Sequence, residues 1–261
     1  MYHDVVSRHV GITGGTAYFA VHHSTFVRHL ALIQELGLRG CSIAETMADP
    51  TGRVAISFDD GDAGQAAFAF PALRAAGMTA TFFVTTSWVG SAGYVTWDQL
   101  REMRAAGMSI QSHTHSHPFL SELDAPALRG ELRRSRELLD QQLGAGQRTT
   151  MIALPGGDEP RKRLRFIIAE EGYDLVATSR WGVNRGSPAQ SPVNVRRCTV
   201  RGDPGDAKYV AILLGNRWLA ARQGGREHVL AFLRSSLGPT RYARWRRRAL
   251  SLAGSIRRAS P

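Results

Sequence analysis

Short apolar segments alternate with amphipathic segments along most of this 261-residue chain, and this alternation restricts the possible fold more than any other feature. The apolar segments are rich in Val, Ile and Phe, whereas the segments between them carry apolar residues at helical spacing. Strands that alternate with such helices form parallel βα units, so the pattern predicts an α/β sheet or barrel. Predicted strands cover residues 54–58, 79–84, 108–113, 150–155, 174–179 and 194–200, and predicted helices cover residues 24–37, 63–78, 97–107, 125–144 and 161–172.

Polar residues follow the first four predicted strands. In parallel sheets and barrels, functional groups gather at the carboxyl ends of the strands. We therefore expect these four segments to meet at one rim. They are Asp59 and Asp60, Thr85 and Thr86, residues 113–117, and residues 155–158.

Asp59 and Asp60 stand side by side where a buried strand ends, although like charges repel and burial makes their ionisation costly. A divalent cation would offset that repulsion, with one carboxylate as ligand and the other left free as a base. Gly61 permits the turn that both side chains need to serve a single site. The alternative interpretation is a plain Asp-Asp-Gly turn.

Three histidines, His113, His115 and His117, follow the third predicted strand. The HxxxH spacing of His113 and His117 allows two imidazoles to reach one ion, and neutral imidazole is a common zinc ligand. Together with one carboxylate of the Asp59-Asp60 pair they form a candidate metal site. Two histidines and one carboxylate also form the facial triad of non-haem iron oxygenases, but the βα pattern argues against that class. We expect His115 to be a solvent-facing loop residue.

These motifs resemble those of the polysaccharide deacetylase family, also called the NodB-homology family or carbohydrate esterase family four. The resemblance rests on SFDDG at 57–61, SHTHSHP at 112–118 and ALPGG at 153–157. It implies a distorted seven-stranded (β/α) barrel and a deacetylase that removes the N-acetyl group from an amino sugar in a glycan. It further implies Asp60, His113 and His117 as ligands of a divalent metal, with zinc favoured over cobalt, nickel or manganese, and Asp59 as the catalytic base.

The sequence is most similar to the poly-N-acetylglucosamine deacetylase branch, which has a permuted barrel and an early YHD motif matching residues 2–4. This similarity implies His3 as the general acid. Many family members orient the base with an arginine where this chain has Ala153, and no late Leu-His motif is present. The expected substrate-binding residues are Trp97, Leu154, Pro155, Gly156 and Arg197.

Alternatives remain open both for single residues and for the function of the protein. Trp97 could stack on a sugar ring or pack into the core at a helix start, and Leu154 and Arg197 could be ordinary packing or surface residues. The scaffold also resembles deformylases and amide hydrolases that act on other substrates. A catalytically impaired, glycan-binding module is the third possibility, because the expected arginine is missing.

The net charge of +11 is concentrated toward the C-terminus, so nucleic acid is not an expected partner. We expect a deacetylase domain over residues 1–205 and a helical, Arg-rich extension over residues 206–261. The extension could contact an anionic membrane peripherally or form a solvated tail. The absence of a signal-like N-terminus predicts a cytoplasmic protein, with export open if the natural chain begins earlier. Cys41 and Cys198 are expected to be reduced.

Overall fold

The computed structural model describes residues 1–7, 19–144, 146–158, 162–184 and 192–215. The expected sheet is present: six parallel strands lie in the order β10-β9-β8-β7-β6-β5. These strands are β5 (Ser57–Phe58), β6 (Thr81–Val84), β7 (Ser109–Ser112), β8 (Met151–Ala153), β9 (Leu175–Ala177) and β10 (Val193–Val195). The chain order of β5 to β10 is therefore also their spatial order, so each strand lies beside the next one in the sequence.

The helices follow the predicted periodicity closely. They are α1 (His23–Glu35), α2 (Ile43–Ala48), α3 (Phe70–Ala75), α4 (Trp97–Ala105), α5 (Ala125–Leu143), α6 (Lys162–Glu170) and α7 (Asp206–Leu213). A π-helical turn, Gln65–Ala69, precedes α3. Thr96 and Gln99 form a reciprocal capping box that starts α4, and the Asp124 side chain caps α5.

One predicted strand, residues 54–58, is divided between two sheets. Residues Arg53–Ala55 form β4, which pairs with β3 (Arg39–Cys41) in a separate two-stranded sheet. Residues Ser57–Phe58 form β5 in the main sheet, paired with β6. The predicted single strand is therefore wrong, because the apolar run continues while its hydrogen-bonding partner changes at Ile56. A further pair, β1 (Val5–Val6) with β2 (Val21–His22), lies nearby in the chain.

The N-terminal segment occupies the open edge beside β5. Tyr2 forms a parallel bridge with Phe58, and Met1 exchanges backbone hydrogen bonds with Cys198 and Val200. Residues 1–2 thus connect the first strand of the sheet to the segment after β10, where the predicted permutation would place a strand. Within the described residues, the main sheet has six hydrogen-bonded strands and this single bridge. The predicted count of seven strands is therefore not confirmed.

Both faces of the sheet are buried, as is usual for parallel strands. Phe83, Ala153, Ala177 and Val195 belong to a cluster on one face, together with Ile43 of α2. Alternate strand residues face the helices: Phe82 joins the largest cluster, while Ile152 and Val176 pack with α5 and α6. This alternation of period two fixes which strand-end side chains can reach the rim.

The C-terminal extension lies mostly outside the described residues. Its first helix, α7, contacts α1, and Tyr209 is buried in the largest core cluster. The expected basic segment and its membrane contact, beyond residue 215, fall outside the part of the chain that the structure describes. Among the described residues, no helix has the length and apolar character that crossing a bilayer requires.

Candidate metal centre and adjoining aromatic residues

Asp60 reaches the rim because the chain turns sharply after β5. Its φ is +75°, and Gly61 follows with φ +89°. A non-glycine residue in this left-handed region is strained, and such strain gathers at functional sites. The turn directs Asp60 to the rim, whereas Asp59 stays buried, with 2% of its surface exposed.

The three predicted metal ligands converge. The Nε2 atom of His113 lies 3.1 Å from Oδ1 of Asp60, and Nε2 of His117 lies 3.4 Å from the same oxygen. These three residues form the one group in the described residues whose His, Cys or acidic ligand atoms all lie within 4.8 Å of one another. Asp60 Oδ1 is buried without a hydrogen bond of acceptable geometry, so an acceptor faces two imidazole nitrogens. A divalent cation fits this donor set.

The tautomer of His113 also suits a cation. Its Nδ1 lies 3.0 Å from the carbonyl oxygen of Ala153, which can only accept a hydrogen bond. In the neutral imidazole, Nδ1 therefore carries the proton, and the Nε2 lone pair faces Asp60. Burial alone would raise the pKa of Asp60, but His113 and His117 hold it well below its ordinary value.

The loop that carries His117 is fixed by its own side chains and by α5. Thr114 and His117 have φ of +69° and +62°, and the His117 N–H donates to Thr114 Oγ1. Glu131 of α5 accepts hydrogen bonds from the backbone N–H groups of His115 and Ser116. His115 lies in this loop, as expected; its imidazole is partly buried, and Nδ1 lies 2.9 Å from Thr86 Oγ1.

Asp59 is held by an arginine from the far end of the domain. Both terminal nitrogens of Arg197 donate to its carboxylate, at 2.5 and 2.8 Å, and Nε donates to the Thr178 carbonyl. Burial alone would raise the pKa of Asp59, but the Arg197 charge and hydrogen bonds hold it below its ordinary value. Arg197 is only 5% exposed and forms an ion pair with Asp59, and its expected contact with substrate stays a prediction.

His3 lies close enough to this centre for the charges of Asp60 and Asp59 to act on it. Burial lowers the pKa of its imidazole, and the two carboxylates oppose that shift without cancelling it. The ring packs against Phe19 with centroids 4.5 Å apart, and Nδ1 is buried with no hydrogen-bond partner in the described residues.

The remaining predicted groove residues divide between packing and backbone roles. Trp97 begins α4 and packs against the largest core cluster, as the alternative interpretation holds. Leu154 is 1% exposed in the cluster between α5 and α6, and Pro155 is buried. Gly156 has φ +63°, and a Cβ there would lie 2.3 Å from the Phe119 ring, so this position requires glycine.

The aromatic side chain beside the metal ligands is Trp88, which the sequence analysis did not single out. Its ring centroid lies 5.0 Å from that of His117 and 4.9 Å from that of Tyr94. Both aromatic side chains are partly exposed. The sequence feature that could have identified Trp88 is its position, four residues after the end of β6.

The chain is similar to known proteins over much of its length. A family model described as polysaccharide deacetylase matches residues 46–176. The putative polysaccharide deacetylase YxkH of Bacillus subtilis is 33% identical over 129 residues, which cover 49% of this chain and 45% of that protein. The match therefore spans less than half of the curated relative.

Solved structures share the fold more widely. The Streptococcus pyogenes deacetylase PplD, solved in complex with acetate, superposes with a TM-score of 0.66 at 26% identity, covering 77% of this chain and 90% of that one. IcaB from Ammonifex degensii gives 0.68 at 24% identity, covering 81% and 92%.

Fold and site together define an α/β protein with a parallel sheet and a candidate metal centre at the carboxyl ends of its strands. This chain belongs to the polysaccharide deacetylase family. The family expected from the motifs, and the α/β architecture expected with it, are confirmed.

Proposed function

We propose that this protein is a metal-dependent hydrolase that removes the N-acetyl group from an N-acetylated amino sugar in a poly- or oligosaccharide or glycoconjugate. The observation that carries the proposal is the convergence of Asp60, His113 and His117 beside a second carboxylate, Asp59, which an arginine keeps ionised. Family membership supports the same class of reaction.

Each side chain has a distinct role in this proposal. Asp60, His113 and His117 would hold a divalent cation, most suitably zinc, which supplies Lewis-acid polarisation and a more acidic water. Asp59 accepts the proton of the attacking water, and Arg197 holds the carboxylate oriented and charged for that task. A base already ionised at neutral pH needs no prior loss of a proton.

His3 is the proposed general acid. The departing group is a sugar amine, which is too basic to leave as an anion and needs a proton as the carbon–nitrogen bond breaks. The His3 imidazolium supplies it. Acetate and a free amino sugar are the products.

The aromatic surface beside His117 favours a sugar over an acyclic amide. Trp88 and Tyr94 provide flat, apolar faces next to the metal ligands, and such faces match the C–H surface of a pyranose ring. A deformylase or other amide hydrolase on the same scaffold is the second candidate, since the ligand set by itself does not select the acyl group. A cytoplasmic location and a peripheral membrane contact of the C-terminal segment remain proposals.

The decisive experiment measures zinc content and acetate release from N-acetylglucosamine oligomers for wild type and Asp59→Asn. We expect stoichiometric zinc in both proteins and a loss of turnover of about 10²–10⁴-fold in the variant, the usual contribution of a general base. Equal turnover in both would refute the base assignment. Release of formate but not acetate from matched N-formyl and N-acetyl amino sugars would favour the deformylase, and bound zinc without turnover in wild type would favour a glycan-binding module.

A further inference from the structure

Gln65 connects the backbones of the two residues proposed as acid and base. It lies in the π-helical turn after the Asp59-Asp60 loop and is 1% exposed. Its Nε2 donates to the carbonyl oxygen of His3 at 2.8 Å and to that of Asp59 at 2.6 Å. A side-chain amide has two N–H donors, so both hydrogen bonds can form at once.

The connection occurs where the main-chain ladder between the two segments stops. Tyr2 N–H donates to the Ser57 carbonyl and Asp59 N–H donates to the Tyr2 carbonyl, which together form one parallel bridge. Immediately beyond it, the N-terminal segment turns to a different partner, because the Asp4 carbonyl accepts from Val21. His3 and Asp59 therefore sit at the point where the backbone no longer holds their segments together.

At that point, the Gln65 side chain takes the place of a main-chain hydrogen bond between the two segments. From a buried position, its amide joins the carbonyls of two residues that are 56 apart in sequence but adjacent across the bridge. Its Oε1 atom is buried without a hydrogen-bond partner in the described residues. Buried acceptors without a partner are rare in native proteins, and each such exception needs an explanation. π-helical turns are also frequent at functional sites.

We propose that Gln65 is a positioning residue that sets the separation of His3 and Asp59 through their main-chain carbonyls. This inference rests on the proposed function, in which those two residues act as acid and base. A misplacement of about 1 Å can reduce turnover about 10²-fold. Loss of the Gln65 amide should therefore slow turnover while substrate binding and the metal ligands, which Gln65 does not contact through any described hydrogen bond, are preserved.

Gln147 provides a matched control. Its Nε2 also donates to a main-chain carbonyl across segments, that of Ile110 at 2.7 Å, but it precedes β8 at the opposite end of the sheet. Gln65→Met and Gln147→Met each remove a donor while keeping side-chain length. The comparison distinguishes a loss of turnover that is specific to His3 and Asp59 from the general effect of removing a side-chain amide that joins two segments.

The experiment measures kcat, KM, zinc affinity and thermal unfolding of the zinc-loaded full chain for wild type and both variants. We expect Gln65→Met to lower kcat about 10²-fold with KM and zinc affinity close to wild type, and Gln147→Met to leave kcat close to wild type. Equal effects of the two substitutions on kcat, or a parallel loss of zinc affinity in Gln65→Met, would overturn the proposal.

Gln65→Glu supplies a test that does not depend on the folding of Gln65→Met. An ionised carboxylate would face two carbonyl oxygens, whereas its protonated form regains one donor. The ratio of Gln65→Glu to wild-type kcat should therefore rise as the pH falls, and a ratio independent of pH would overturn the proposal. If wild type releases no acetate, the proposed function itself fails; if wild type is active and the variants match it, only this inference fails.

Discussion

Replacing Arg197 tests the electrostatic organisation of the site most directly. Arg197→Met removes the guanidinium from a pair whose side chains are only 4% and 3% exposed, and it leaves the Asp59 carboxylate buried without its counter-charge. Breaking a buried pair by removing one partner is unfavourable by about 3–5 kcal/mol. For a protein of this size, that corresponds to a fall in Tm of about 6–20 °C.

The loss of stability in Arg197→Met should also depend on pH. Its direction follows from the pKa of Asp59 in the folded and unfolded states. In wild type the folded pKa of Asp59 lies below 3.8, so the pair stabilises the protein above that pH. Without Arg197, burial raises the folded pKa above the unfolded value, and the variant loses stability as the pH rises. The difference in unfolding free energy between wild type and variant should therefore be larger at pH 8 than at pH 5.

The assay combines denaturant unfolding at both pH values with acetate release. Turnover should fall because Asp59 becomes protonated and loses its orientation, and Arg197→Lys should recover part of the stability but not the two-point hold on the carboxylate. Arg101→Met is the control: Arg101 pairs with Asp98 on the surface of α4, at side-chain exposures of 45% and 91%, so its loss should change stability by no more than about 1 kcal/mol. An Arg197→Met protein as stable and active as this control would refute the reasoning.

Two further predictions concern the groove and the metal ligands. Trp88→Ala should raise KM for N-acetylglucosamine oligomers about tenfold, the equivalent of a stacking contribution near 1.4 kcal/mol. Trp97→Ala should instead lower Tm and leave KM unchanged. Steady-state kinetics and thermal unfolding distinguish the two variants, and the reverse pattern would restore Trp97 as the sugar contact. Although burial opposes it, Asp60 raises the pKa of His113 above 6.5 before a cation binds, and a bound cation requires neutral imidazole. Zinc affinity measured by competition with a chelator should therefore weaken as the pH falls through that raised pKa, and an affinity unchanged between pH 8 and pH 6 would contradict the ligand assignment.

Much of the candidate site could be predicted because its ligands lie in short motifs at strand ends. Asp60, His113 and His117 follow β5 and β7, and parallel strands place such ends on one rim whatever the details of the loops. The alternation of apolar and amphipathic segments likewise indicated α1, α3, α4, α5 and α6, and the helices expected from residue 206 onward begin with α7. The short α2 was missed, because its six residues are too few for periodicity to show.

The local sequence pattern could not predict which tryptophan lies beside the metal ligands. Trp88 and Trp97 both follow β6, and the sequence favoured the one in a motif shared with relatives. The structure places Trp97 at the start of α4 against the core and Trp88 beside His117. The difference depends on the path of the loop between β6 and α4, which a pattern of residue types does not define.

The sequence by itself determined the parallel α/β architecture and the three-residue candidate metal centre. The architecture follows from periodicity, and the centre follows from two short ligand motifs, 53 residues apart, that stand at the ends of parallel strands. Only the tertiary structure assigned Arg197 to Asp59, a partner 138 residues away, and Gln65 to the carbonyls of His3 and Asp59. These contacts exist because the sheet curls until the N-terminal segment lies between β5 and the segment after β10. That closure depends on the packing of the whole sheet, and no single segment encodes it.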